Sequence, residues 1–269
     1  MHLLYMSRVW ALGPLTRTVG DTALYLDCVA GYHPGDPDSL PQPKASYVKC
    51  LKKLPASLKI GFSPTLGYAL VQKDVMGLVE QAVKSFEQMG HRVEIWEGKL
   101  ADVSQAWAEI TNYGIYAQLH EDLERIRPEL GRSLVTSLDH AKNLSLNVHI
   151  RNQKTRTELN RALQEFFNRF DLLLTPTMPT EAFAAKGPPP TEIDGQPIPL
   201  LGTAAFTYPF NLSGHPAATV RAGLTERGLP AGLQIIGPRH RDDLVLQAAY
   251  AYEHSCPWND HWPDLSKLK

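Results

Sequence analysis

The chain has 269 residues, 43% of them hydrophobic and 20% charged, with a formal net charge of −1. That is the composition of a globular protein with ample core, and the near-zero charge excludes a general electrostatic grip on nucleic acid or an anionic membrane. Cys28, Cys50 and Cys256 are too scattered for a disulfide framework or a paired-cysteine zinc site, and no run of about 18 uninterrupted apolar residues exists to span a membrane; the expected compartment is the cytoplasm.

In chain order, the head MHLLYMSRVWAL (1–12) is broken by His2, Ser7 and Arg8 and lacks the run of a signal peptide. Thr18-x-x-Asp21 predicts a capping box, then a helix over about 19–30 stopped by Gly31. Residues 32–43, dense in Pro, Gly and Asp, read as a loop. A short strand (59–63), a helix carrying Val75, Val79, Ala82, Val83 and Phe86 at helical spacing, and an alternating strand within 91–97 form a β-α-β unit with parallel strands. Residues 102–126 read as a helix. The pattern from about 132 to 170 reads as one long packed helix, since no Pro or Gly interrupts it and no heptad is kept. FDLLLTPTMP (170–179) is a buried strand entering a proline-rich loop that runs to Pro199, too long for a plain connector. Residues 217–237 read as strand, turn, strand, and RDDLVLQAAYAYEH as a last helix; Trp258 and Trp262 in the tail are placed to pin the end to the body. The alternation predicts an α/β fold with a mixed, mostly parallel sheet flanked by helices.

Four stretches, GPLTRTVGDTALYLDCVAG, DLLLTPTMP, FTYPFNLSGHPA and GLPAGLQIIGPRHRDDLVLQAAYAYE, together resemble the amidase signature family of serine amidohydrolases. Each alone is weak; all four in order and spacing are specific. The resemblance implies an α/β/α sandwich over residues 13–269, with 1–12 a head that matches nothing in it. In that family a Ser–cis-Ser–Lys triad does the chemistry, and its lysine and Gly/Ser-rich serine segment stand ahead of the stretch matched by GPLTRT. No GGSSGG-like run occurs here, and Ser7 is the only serine before Gly13. The resemblance therefore implies the C-terminal part of an amidase with no catalytic residue of its own, inactive alone.

No other chemistry stands out. Ser213 and His215 are close in sequence, but such neighbours rarely have the geometry of a nucleophile–base pair, and a structural turn is the expected reading. No G-x-S-x-G elbow or phosphate loop is present. Cys28 is expected to be buried and inert, His254 and Cys256 lack further zinc ligands, and Asp36 and Asp38 lack the closing Glu of a calcium loop. No cofactor or metal is expected. Arg17 and Asp21 fall in the strongest matching stretch and read as a structural cap or ion pair, with a substrate role for Arg17 the lesser alternative.

What the resemblance leaves this chain is a cavity wall. Thr177, after the buried strand, and Ala204, Phe206 and Thr207 are the matching candidates for substrate contact; Ala204 and Phe206 suit an apolar acyl or aryl group, and simple core packing accounts for them equally well. The expected substrate is a small carboxamide, cleaved to a carboxylate and ammonia or an amine once a catalytic segment is supplied. A sheet of so few strands would keep an uncovered edge or face, which predicts a complementing chain or a homodimer mate. The alternative is a non-catalytic remnant that binds a ligand or partner through the old wall.

Overall fold

The structure, a computed structural model, describes residue 9 and residues 12–258. Two helices come first, α1 (Val19–Val29) and the short α2 (Tyr47–Cys50). Thr18 caps α1: its Oγ1 accepts from the Asp21 amide at 3.1 Å and donates to Asp21 Oδ2 at 2.7 Å. Only half of the predicted box forms, because the Asp21 carboxylate is spent on the Thr18 hydroxyl. The next free amide, Val19 N–H, donates instead to the carboxylate of Glu253, 234 residues on, at 3.1 and 3.2 Å. The sequence pattern shows no α2; the Asp27 carboxylate builds it by accepting from the Ser46 hydroxyl (2.5 Å) and the Tyr47 amide (2.6 Å).

The β-α-β unit forms as expected: β1 (Lys59–Phe62), α3 (Lys73–Gln88) and β2 (Arg92–Ile95), with β1 and β2 parallel. The helix predicted over 102–126 is shorter. α4 (Ser104–Leu119) ends at His120, and the chain continues as α5 (Leu123–Ile126) and a 3-10 turn over Arg127–Glu129, where Pro128 cannot extend a helix. The single long helix predicted over 132–170 is two, α6 (Arg132–Lys142) and α7 (Leu146–Phe167). Asn143 and Ser145 divide them. Asn143 Nδ2 donates back to the Asp139 carbonyl at 2.9 Å, and Ser145 Oγ accepts from the Val148 amide at 3.4 Å to start α7, the two roles these short polar side chains favour over a helix interior.

β3 (Leu172–Pro176) is buried along its whole length. The proline-rich loop carries a small hairpin, β4 (Glu192–Ile193) and β5 (Gln196–Pro197), turned by Asp194 and Gly195 at φ 48° and 76°, the left-handed pair such a turn requires. Asp194 Oδ2 accepts from the Lys73 amide at 3.0 Å, and Glu181 accepts from Thr225 and Arg227 at 2.8 and 2.6 Å, so the loop is tied to the body at both ends. α8 (Tyr208–Ser213), β6 (Ala217–Leu224), β7 (Pro230–Ile236) and α9 (Asp242–Ser255) complete the chain. Trp258 Nε1 donates to the Arg17 carbonyl at 3.3 Å, as expected of a residue that pins the tail; Trp262 lies outside the described residues.

The sheet order is β2-β1-β3-β7-β6. β2, β1 and β3 are parallel, β7 is antiparallel to β3, and β6 antiparallel to β7, so every strand but β7 points the same way. Ile60, Leu172, Leu174, Leu233 and Ile235 meet α3 and α9 on one face; Leu173 and Ile236 meet α4, α7 and α8 on the other. This is why β3 reads as an unbroken apolar run. Leu172, Leu173 and Leu174 are wholly buried, each worth about 2 kcal/mol of transfer free energy.

Among the described residues, both sheet edges and the outer side of α1 stay open. The β2 edge is short and carries the Arg92–Glu94 pair at 2.8 Å, the usual protection of an edge strand. The β6 edge is eight residues, AATVRAGL, with one charge. α3 and α9 cover one face of β6, but Ala217 and Thr219 on the other are exposed. α1 likewise buries only Val19 and Ala23, leaving Leu24 (56% exposed) and Val29 (55%) in solvent beside Tyr32 (72%). Cys28 is exposed rather than buried, because it lies off the Val19–Ala23 stripe.

Candidate functional site

In open α/β sheets, ligands sit beyond the carboxyl ends of parallel strands where the strand order reverses. Here the chain goes from β1 to β2 on one side, then returns to β3 on the other. The reversal is at β1 and β3, and the loops leaving β1, β2 and β3 carry Tyr68, Asp102 and Thr177.

These loops are joined to the segment before α8. Tyr68 donates its hydroxyl to the Ala205 carbonyl at 2.6 Å, and Tyr208 donates to Asp102 Oδ1 at 2.8 Å. Burial, with the Asp102 carboxylate nearby, holds both phenols well above their usual range, so they stay protonated donors. The 3-10 turn at Gly202–Ala204 is closed by the Thr207 hydroxyl on the Ala204 carbonyl at 3.1 Å. Beneath it, Gln234 on β7 donates to the Phe206 carbonyl (2.8 Å) and to Thr175 Oγ1 (3.0 Å), with both side chains buried.

Beside Gln234 the sheet floor is open. Thr177 N–H donates to the Gly232 carbonyl at 2.9 Å, and its hydroxyl donates to Thr219 at 3.3 Å. A Cβ on Gly232 would stand 2.8 Å from Thr177 Oγ1 and 2.9 Å from Thr219 Cγ2, so only glycine leaves this strip of backbone clear. Thr177, Ala204 and Thr207 are half-buried at this floor and turn, whereas Phe206 is wholly buried in the core, with its carbonyl tied to Gln234. Tyr68, Asp102, Tyr208, Thr219 and Gln234 were not legible as site residues; they come from separate loops and strands, and only the strand order brings them together. Arg17 is exposed just ahead of the Thr18 cap of α1, and Asp21 serves that cap.

Ser213 and His215 do meet, against expectation: His215 Nδ1 lies 2.8 Å from Ser213 Oγ. They sit just ahead of β6, at the opposite end of the sheet from the floor. Ser213 is 1% exposed, and Arg239 donates to its carbonyl, so no substrate reaches the hydroxyl. Among the described residues no group of three His, Cys, Asp or Glu could hold a metal ion, and no helix is long and apolar enough to cross a membrane.

A family model, Amidase, matches residues 5–246. The chain belongs to the amidase signature family. An acylamidase of Rhodococcus erythropolis is 33% identical over 258 residues, covering 94% of this chain and 54% of that protein. One of the subunits of the glutamyl-tRNA(Gln) amidotransferase of a Cyanothece species is 30% identical over 97% of this chain and 58% of its own. Among solved structures, a bacterial aryl acylamidase of the family superposes with a TM-score of 0.82 at 32% identity, covering 92% of this chain and 53% of that one. The fold expected from the family resemblance, a mixed, mostly parallel sheet flanked by helices, is the one observed. The chain spans about half the length of the relatives it matches.

Proposed function

We propose that these residues form the substrate-side wall of an amidase that cleaves an apolar carboxamide, such as an N-aryl amide, to a carboxylate and an amine. The observation that carries this reading is the bare floor at Thr177, Thr219 and Gly232, bordered by the Ala204–Thr207 turn at the strand-order reversal. It holds polar anchors and clear backbone but no nucleophile with a base. Ala204 stands in the turn with no charged neighbour in its own segment, GTAAFTY, which favours an apolar group over an amino-bearing one.

No stretch of the 269 residues matches the family's Gly/Ser-rich catalytic segment. Hydrolysis therefore requires that segment and its lysine in addition to these residues. The open β6 edge and the apolar outer side of α1 are where such a complementing segment packs: both are unpaired surfaces of the kind a protein covers.

The test is co-expression with the part of a related acylamidase that this chain does not match, followed by assay on an N-aryl acetamide. Hydrolysis by the copurified pair and by neither piece alone supports the reading. Hydrolysis by the 269-residue chain alone, with a serine labelled by a fluorophosphonate, overturns it, as does a stable assembled pair without activity.

A further inference from the structure

Away from the sheet floor, α4 and α7 border a half-open hollow of about 330 Å³. Its polar end is Glu109, whose side chain is 8% exposed. Oε1 accepts from Gln105 at 2.9 Å and Oε2 from Asn152 at 2.7 Å. Burial alone would raise the Glu109 carboxyl, but these two amides and the Arg151 cation hold it below its usual value, so the hollow contains a carboxylate. Arg151 is a loose partner: its side chain is 59% exposed and its Nη2 stands 3.4 Å from Oε2. The walls are Ile110 and Leu146, with the Tyr113 and His149 rings in tilted contact at 5.5 Å between centroids.

We infer that this hollow is a binding site for a small organic ammonium: a primary amine on an aromatic or branched apolar body. A cavity of 150 Å³ holds a benzene, so this one takes roughly ten non-hydrogen atoms, and it falls in the size range of small-molecule sites. The ammonium donates to Glu109 in place of the distant Arg151 contact, the Tyr113 ring receives the cation's flank, and the body rests on buried Ile110 with Leu146 at the rim. A buried carboxylate with amide donors on both oxygens would serve as a simple tie between helices; the half-open, aromatic-lined hollow beside it is what a tie does not need. The inference is independent of amide hydrolysis, since the hollow shares no residue with the sheet floor.

The test is titration of the full chain with phenethylammonium and with 2-phenylethanol, the same shape carrying a hydroxyl, read by calorimetry and melting temperature. The ammonium is expected to bind and the alcohol to bind about tenfold more weakly or less. Glu109→Gln should remove the difference, and Leu146→Trp, an exposed position at the rim, should block the ammonium with the melting temperature of the free protein unchanged. Equal binding of both probes, an ammonium affinity untouched by Leu146→Trp, or no binding in the millimolar range overturns the site. If Glu109→Gln does not fold, the alcohol comparison and Leu146→Trp still decide.

Discussion

The Gln234 side-chain amide donates to the Phe206 carbonyl at 2.8 Å, and through that bond strand β7 holds the turn that borders the site. The same amide serves Thr175. Gln234→Leu keeps the volume, leaves the Phe206 carbonyl without this donor, and takes from the Thr175 hydroxyl one of its two bonds, the other being its own donation to the Pro176 carbonyl. An orphaned buried carbonyl costs about 1–3 kcal/mol, so a loss of about that size in urea unfolding is expected, against a loss below about 1 kcal/mol for an exposed control such as Leu146→Ala.

Glu253 accepts the Val19 amide from across the fold. Glu253→Ala removes the acceptor at the start of α1 and should cost about 1 kcal/mol, with faster hydrogen exchange along α1. Glu253→Gln keeps an acceptor oxygen and should fall between the two. Equal exchange in all three proteins would mean that Thr18 alone sets the helix start.

His215 gives a pH signature. Burial above all, with the Arg239 cation beside it, depresses its pKa from 6.5 to about 4. The unfolded chain therefore takes up a proton at a higher pH than the folded one. The stabilisation is fully present above pH 6.5 and is lost as pH falls toward 4, on the order of 2–3 kcal/mol across that window. His91, also depressed by burial, adds in the same direction, and Glu253, raised by burial, opposes it. The difference between the parent and His215→Phe isolates the His215 share: the variant, which keeps a ring against Phe167 (centroids 5.2 Å apart in the parent), should show a flatter stability curve between pH 4 and 6.5.

Ala204→Asp puts a carboxylate at the half-buried border of the floor. In the completed amidase it should lower turnover of an N-aryl acetamide by about tenfold or more, because an apolar group must then pack against a charge. The melting temperature of the chain alone serves as the control for folding. An unchanged rate would remove Ala204 from the substrate wall.

The elements that local pattern determines were legible. β3 announces itself as FDLLLTP, α3 by its helical stripe, and the β6–β7 hairpin by two apolar runs around a glycine turn. The breaks were not. Nothing in the period of residues 132–170 marks Asn143–Ser145 as a boundary, because a one-residue cap against a two-helix alternative is decided by where Leu138 and Leu163 find core. α2 exists through Asp27, nearly 20 residues upstream, and no window shows it. Thr177 and Thr207 could be proposed because they fall in matching stretches, and Ala204 because it stands just ahead of one. Tyr68, Thr219 and Gln234 could not, because their relation is set by strand order.

The bulge between Arg221 and Gly223 restricts what can lie along the free rim of β6. A bulge inserts one residue, so a flat strand in register with Ala217–Val220 would present its side chains on the wrong face beyond it. An incoming strand must stop after about five residues or carry a matching irregularity. The rim thus discriminates: casual stacking of extended peptides is cut short, and the full length rewards only a segment shaped to this kink.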